Sequence, residues 1–210
     1  MFPHKNLKGK KMPLVTQKAP DFTANAVLGD NTIVEDFNLY KNLGPKGAVV
    51  FFYPLDFTFV CPSELLAFDH RYQEFKKRGI EVISVSIDSH FTHLAWKNTA
   101  IKDGGIGKVQ YPMVADLDKS ICKNFDVLLD AGIALRGSFL LDADGTVRHA
   151  VVNDLPLGRN IDEMIRMVDT MLYTNEHGEV CPAGWNQGDE GMIATPDGVS
   201  KYLASNADKL

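Results

Sequence analysis

A short apolar run that ends at a proline constrains the fold of this chain more than any other feature. Val49 to Tyr53 (VVFFY) is continuous and rich in β-forming residues, which is typical of a strand buried on both faces. Pro54 has no backbone N–H, so it ends the hydrogen bonding of that strand. Cys61 follows after a short turn and is itself followed by proline, a residue favoured in the first turn of a helix. The sequence therefore predicts a buried strand, a turn and a helix that begins at Cys61.

That helix has a clear apolar face and a clear end. Its apolar side chains recur at spacings of three or four residues and are Leu65, Phe68, Tyr72 and Phe75. Gly79 closes the predicted helix. Cys61 therefore falls in the first turn, where unpaired N–H groups and the positive end of the helix dipole favour an anion, here a thiolate. Placement alone leaves a second interpretation open, an inert cysteine buried under the helix.

The rest of the chain alternates between strand and helix patterns. Residues 80–87, 112–115, 138–142 and 146–152 read as strands, the last two joined by an Asp-Gly turn that is typical of a hairpin. Helices are predicted after Ser89, over 118–125, and from Asn160 to about Thr174. Residues 24–34 read as a hairpin around Gly29, residues 36–40 as a short helical turn, and residues 1–19 as a loosely ordered lead-in. Strand, helix and strand in succession imply parallel pairing, so the predicted class is α/β with a thioredoxin-like fold, an N-terminal extension and a C-terminal arm.

Composition narrows the classes of function. The chain has 210 residues and is 45% hydrophobic, which is enough for one sizeable core. Its net charge is −5. Positive and negative charges are mixed along the chain, so the charge pattern does not indicate a nucleic-acid partner. The chain also lacks the long apolar run that would indicate a membrane partner. Three cysteines without CxxC spacing favour a reducing compartment, and the lysine-rich N-terminus lacks the apolar region of a secretory signal. We therefore predict a cytoplasmic protein.

Two stretches carry a family resemblance. Residues 53–64 (YPLDFTFVCPSE) resemble the active-site motif of the peroxiredoxins. Residues 179–185 (EVCPAGW) resemble the second-cysteine region of the typical two-cysteine subgroup, the alkyl hydroperoxide reductase C-like proteins. The resemblance extends from Ala19 to Trp185.

The resemblance implies a thiol peroxidase that reduces hydrogen peroxide and organic hydroperoxides. Cys61 would be the peroxidatic cysteine, and Cys181 of a partner chain would resolve its sulfenic acid as a disulfide. The other implied site residues are Thr58, Arg136 and Pro54, with Glu64 and Arg159 in support. The implied electron donor is thioredoxin or a flavoprotein disulfide reductase, and the implied assembly is a homodimer that forms a decamer. No metal, haem or flavin is implied. Residues 1–174 would form the thioredoxin-like peroxidase domain, and residues 175–210 the arm that carries the resolving cysteine.

Several features have other interpretations. Cys122 lies beside apolar positions on a predicted helix, which favours an inert thiol. His90 and His93 have a spacing that could hold a metal, but a surface or packing role is favoured. Residues 104–107 (GGIG) do not open a helix after a strand, so a nucleotide site is not indicated.

The same glycine loop resembles the GGLG insertion of easily over-oxidised peroxiredoxins, which pair it with a C-terminal Tyr-Phe helix. Here the pair is Tyr202-Leu203, so we predict intermediate sensitivity to over-oxidation. Two alternative functions remain: a holdase or peroxide-sensing scaffold, and a general thiol-disulfide exchanger, which the lack of CxxC disfavours.

Overall fold

The fold is built on one mixed β-sheet. The computed structural model describes residues 14–210, so most of the predicted N-terminal lead-in lies outside the described residues. Within residues 14–210 the sheet has seven strands in the order β2-β1-β5-β4-β3-β6-β7. The strands are β1 (Thr23–Val27), β2 (Ile33–Asn38), β3 (Gly47–Phe52), β4 (Ile80–Ser86), β5 (Met113–Ala115), β6 (Arg136–Asp142) and β7 (Val147–Asn153).

The apolar run of the sequence occupies the interior of this sheet. All six residues of β3 are buried. The strand pairs in parallel with β4 and antiparallel with β6. Side chains alternate between its two faces, so Val49 and Phe51 enter one core and Val50 and Phe52 enter the other. The first of these cores also contains Cys61, so the thiol lies on the same side of the sheet as Val49 and Phe51.

Helices cover both faces. The described helices are α1 (Cys61–His70), α2 (Tyr72–Lys77), α3 (His90–Asn98), α4 (Ser120–Asn124), α5 (Ile161–His177) and α6 (Pro196–Asn206). Ser89 and Asn160 cap α3 and α5 with their side-chain oxygens, as predicted. None of the helices in residues 14–210 is both long and apolar enough to span a bilayer.

The predicted helix between Cys61 and Gly79 is interrupted. The backbone of Arg71 leaves the helical conformation, with φ −104° and ψ 4°, so α1 ends at His70 and α2 begins at Tyr72. The guanidinium of Arg71 pairs with Asp162 in the first turn of α5, its Nη2 lying 2.8 Å from the carboxylate. The break between α1 and α2 therefore lies at the residue that forms an ion pair with α5.

The predicted helical turn over residues 36–40 is wrong. Asp36 belongs to β2, whose Phe37 is buried and pairs with Ala24 of β1. Only Tyr40–Asn42 forms a 3-10 turn. Strand pairing and the burial of one aromatic ring override the local polar pattern here. The flanking hairpin prediction is confirmed, because β1 and β2 pair antiparallel through a turn that holds Asn31 at φ 72°.

The C-terminal segment follows a longer helix than predicted. Helix α5 continues to His177 and ends at Gly178, whose φ of 69° suits glycine. The later helix α6 has no buried residue in this chain. An amphipathic helix with no buried face in its own chain leaves that face available to another surface.

Candidate active site

Cys61 lies at the junction of β3 and α1 and is fully buried, with 0% of its surface exposed. The Thr58 hydroxyl lies 2.9 Å from the Cys61 sulfur and 2.8 Å from the carbonyl oxygen of Leu55. One hydroxyl proton serves both acceptors, so Thr58 donates to the sulfur when that sulfur is a thiolate. Thr58 does not cap α1 with its side chain, because the N-cap is Val60.

Arg136 is the first residue of β6, the strand beside β3. Its Nη1 lies 3.4 Å from the Cys61 sulfur and 2.6 Å from Oε2 of Glu64. Its Nε donates to the carbonyl oxygen of Leu155 at 2.6 Å. Three partners therefore fix the plane of a buried guanidinium against the sulfur.

Glu64 joins two arginines one turn into α1. Arg159 donates to both of its carboxylate oxygens, from Nε at 2.9 Å and from Nη2 at 3.0 Å. Nη1 of Arg159 donates to the carbonyl oxygens of Phe52 at 2.8 Å and Gly137 at 2.9 Å. Arg159 therefore ties the helix that carries Cys61 to the ends of β3 and β6.

The charges of this buried cluster balance only with an anion on sulfur. Arg136 and Arg159 bring two positive charges and Glu64 brings one negative charge, all with side chains that are 4% exposed or less. An uncompensated buried charge is strongly unfavourable. Negative charge at the Cys61 sulfur would offset the excess positive charge of this cluster.

Pro54 and Cys181 occupy different places. Pro54 is buried directly after β3, on the loop that leads to Thr58. Cys181 lies beyond α5, where its sulfur is 3.7 Å from the Thr174 hydroxyl and 3.8 Å from the carbonyl oxygen of Thr170. Cys61, Cys122 and Cys181 are all unpaired thiols. The structure thus connects Thr58, Arg136, Glu64 and Arg159 in one cluster with the Cys61 sulfur, whereas Cys181 lies outside that cluster.

Other candidates fall outside this cluster. Cys122 is buried, and the pKa of its thiol is raised, mainly by burial and also by the neighbouring Asp116 carboxylate. A raised pKa is expected for an inert cysteine. His93 is buried in contact with Asp56, in agreement with a packing role. Across residues 14–210, His, Cys, Asp and Glu side chains form no group of three or more that could hold a metal.

Comparison with known sequences decides the family. Residues 15–150 match the AhpC/TSA family, and residues 171–205 match the C-terminal domain of 1-Cys peroxiredoxin. Alkyl hydroperoxide reductase C of Helicobacter pylori is 61% identical over 197 residues, which cover 94% of this chain and all of that protein. This chain belongs to the AhpC/TSA family.

Other members of the AhpC/TSA family show the same likeness. The chloroplastic 2-Cys peroxiredoxin BAS1 of Hordeum vulgare is 47% identical over 195 residues, 92% of each chain. The reduced crystal structure of Plasmodium vivax 2-Cys peroxiredoxin superposes with a TM-score of 0.88 at 43% identity, covering 91% of this chain and 98% of that one. The peroxiredoxin resemblance, the thioredoxin-like α/β fold and the thiol peroxidase class predicted from the sequence are thereby confirmed.

The sequence did not reveal the backbone acceptors of this AhpC/TSA site. Leu155, Phe52 and Gly137 each offer a carbonyl oxygen to one of the two buried arginines. A backbone carbonyl has no residue-type preference, so no motif could signal it. The run of turn-forming residues before Arg159 marks only that the chain bends there.

Proposed function

We propose that this chain reduces hydrogen peroxide and small organic hydroperoxides through nucleophilic attack by Cys61. One observation carries the proposal: the Cys61 sulfur is contacted by both the Thr58 hydroxyl and the Arg136 guanidinium inside a buried cluster of ion pairs. A thiolate with fixed hydrogen-bond donors beside it is suited to attack on a peroxide oxygen.

The first step breaks the O–O bond. The Cys61 thiolate attacks one peroxide oxygen, the sulfur becomes sulfenic acid, and the other oxygen leaves as hydroxide or alkoxide and is protonated to water or alcohol. Negative charge spreads from sulfur to the leaving oxygen during this step. Arg136 and Thr58 would stabilise that charge because their donors are fixed before the reaction begins.

The second step forms a disulfide with Cys181 of a partner chain. The Cys181 thiol loses its proton and attacks the sulfenic sulfur, the S–O bond breaks, and the leaving hydroxide takes up that proton to give water. The disulfide prevents further oxidation of Cys61. A fully buried Cys61 must leave its position for this step, so the first turn of α1 has to unwind. Val60 occupies the N-cap without a side-chain hydrogen bond, which supports a weakly held first turn.

An external donor then reduces the disulfide, and we assign this role to thioredoxin or a flavoprotein disulfide reductase.

Two further features support assembly into homodimers and a decamer. Strand β7 is an edge of the sheet and exposes Val151 and Val152, which suits pairing with a second copy. Phe57 and Phe91 expose apolar rings at a separate place. The three unpaired cysteines support function in the reducing cytoplasm.

Peroxide consumption by three variants tests this assignment. With dithiothreitol as donor, Cys61→Ser should lose turnover, whereas Cys181→Ser should retain it because a small thiol can reduce the sulfenic acid directly. With a thioredoxin system as donor, both variants should be inactive and Cys122→Ser should match the wild type. Turnover by Cys61→Ser would rule out Cys61 as the nucleophile. Among the contacts of residues 14–210, none favours a holdase or sensor role over this function.

A further inference from the structure

The loop between β3 and α1 carries one buried carboxylate, Asp56. From Leu55 to Val60 the one buried residue is Asp56, while Phe57 is exposed and Phe59 is 98% exposed. The half-exposed ring of Phe57 contacts the buried Trp96, with ring centroids 5.7 Å apart. The buried polar attachment of the loop is Asp56, two residues before Thr58.

Asp56 is held at three points. Its Oδ1 accepts from the Tyr53 hydroxyl at 2.7 Å, and its Oδ2 lies 2.7 Å from Nδ1 of His93. Its backbone N–H donates to Oδ2 of Asp88 at 2.9 Å. These partners come from the residue directly after β3, from α3 and from the turn after β4. The loop is thus tied to three separate elements of the scaffold.

The His93 contacts require a proton between the pair. Nε2 of His93 lies 3.2 Å from the carbonyl oxygen of Val114, an acceptor, so Nε2 carries a hydrogen. Nδ1 faces a carboxylate oxygen, so a second hydrogen lies between His93 and Asp56, on one or the other. Burial is the main cause that raises the pKa of the Asp56 carboxyl, and it favours retention of this proton. Tyr53 and Asp88 are the other titratable groups that face the pair.

The residue after Asp56 adopts a strained backbone conformation. Phe57 has a φ of 53°, in the left-handed region that residues with a side chain avoid. Such a conformation persists only when its surroundings impose it. It turns the chain so that Thr58, the next residue, reaches both the Leu55 carbonyl and the Cys61 sulfur. An anchored Asp56 on one side and the helix start on the other impose that turn.

We infer that Asp56 and His93 are positioning residues of the peroxidase proposed above, with their hydrogen bond holding the Phe57 turn so that Thr58 donates to the Cys61 sulfur. Neither side chain touches the sulfur. Their effect reaches the reaction through the backbone of residues 56–58. Oxidation of Cys61 should therefore depend on the hydrogen bond between the pair more than on the charge of Asp56.

Two substitutions of Asp56 separate those two quantities. The amide of Asp56→Asn can accept from Tyr53 and donate to Nδ1 of a neutral His93, so the hydrogen bonds survive without the charge. Asp56→Ala removes them. The rate constant of Cys61 oxidation by hydrogen peroxide is measured by rapid quench, alkylation and mass spectrometry. We expect a fall of about tenfold or more in Asp56→Ala and a change within about threefold in Asp56→Asn.

Two substitutions of buried tyrosines test the same anchor independently, so the test stands even if Asp56→Ala does not fold. Tyr53→Phe removes one hydrogen bond to the anchor, whereas Tyr111→Phe removes a 2.7 Å bond from an equally buried hydroxyl to the Leu65 carbonyl. Tyr53→Phe should slow Cys61 oxidation, and Tyr111→Phe should leave it unchanged. A wild-type rate in Asp56→Ala, a loss in Asp56→Asn as large as in Asp56→Ala, or equal rates in the two tyrosine variants would overturn the anchor. Absence of Cys61 oxidation in the wild type would instead refute the proposed peroxidase function.

Discussion

Arg136 donates to the sulfur of Cys61 at 3.4 Å although 75 positions separate the two residues in the chain. The contact exists because β6, which begins at Arg136, pairs with β3, which ends a few residues before Cys61. Sheet pairing thus brings a fixed cation to a thiol at a helix start.

Removing the Thr58 hydroxyl should slow the reaction without changing the fold. Thr58→Val keeps the side-chain volume but loses the donor 2.9 Å from sulfur. Loss of one preorganised donor at a reacting centre lowers rates by about a hundredfold or more. Thr58→Ser keeps the hydroxyl and should retain most of the activity. Initial rates of peroxide consumption compare the two, and equal rates would show that the hydroxyl is dispensable.

Glu64→Gln should destabilise the protein because it leaves two buried guanidinium groups without their shared carboxylate. Breaking a buried charge network in this way costs about 3 kcal/mol or more of unfolding free energy. Glu74→Gln is the control, since that exposed carboxylate pairs with Lys77 and Arg78 at the surface of α2 and should contribute about 1 kcal/mol or less. Urea unfolding measures both variants. Similar losses of unfolding free energy in the two variants would mean that the buried Glu64 network contributes no more to stability than a surface ion pair.

Lys97 should make stability depend on alkaline pH. It is buried, donates to the Leu28 carbonyl at 2.5 Å, and burial lowers its pKa to about 8. Between about pH 8 and the ordinary lysine pKa near 10.4 the unfolded chain binds a proton that the folded chain does not, so stability rises with pH. Relative to Lys97→Met, the wild type should gain about 1.4 kcal/mol of unfolding free energy for each pH unit in this window.

An exposed lysine serves as the reference for that measurement. Lys102→Met removes a surface charge of the same type, and its unfolding free energy should follow the wild type across the alkaline range. Parallel curves for wild type and Lys97→Met would show that Lys97 keeps its charge in the fold.

Leu203→Phe should increase over-oxidation of Cys61. In the chain alone α6 buries no residue, and Leu203 is exposed, so its apolar face is free to cover another surface. An added ring should hold that cover longer, delay unwinding at Cys61 and leave the sulfenic acid open to a second peroxide. Mass spectrometry across a peroxide titration should find sulfinic Cys61 at the lowest peroxide in Leu203→Phe, then in wild type, and last in a chain truncated before Tyr202. The reverse order would contradict a covering role.

Local pattern predicted the elements that local chemistry controls. The β3 strand, the helix start at Cys61, the caps at Ser89 and Asn160 and the Asp-Gly hairpin each depend on neighbouring residues, and the structure contains all of them. The break at Arg71 and the strand at Asp36 depend on contacts with distant elements, so the local pattern gave wrong boundaries there.

The site divides in the same way. The sequence pattern predicted Cys61 at the start of a helix. It could not predict that Arg136 lies beside the sulfur, which only the family resemblance implied. Asp56 and His93 lie 37 positions apart, and nothing in either neighbourhood signals their hydrogen bond. Contacts between a loop and a distant helix depend on the tertiary arrangement, which neither local pattern encodes.

The most direct test of the account is a non-reducing gel of peroxide-treated protein. Wild type and Cys122→Ser should form a disulfide-linked dimer that a reductant dissolves, because each retains both Cys61 and Cys181. Cys61→Ser and Cys181→Ser should each remain monomeric on the gel after brief treatment with an equimolar amount of peroxide. A peroxide-dependent dimer in Cys61→Ser, or none in the wild type, would contradict the intermolecular Cys61–Cys181 mechanism.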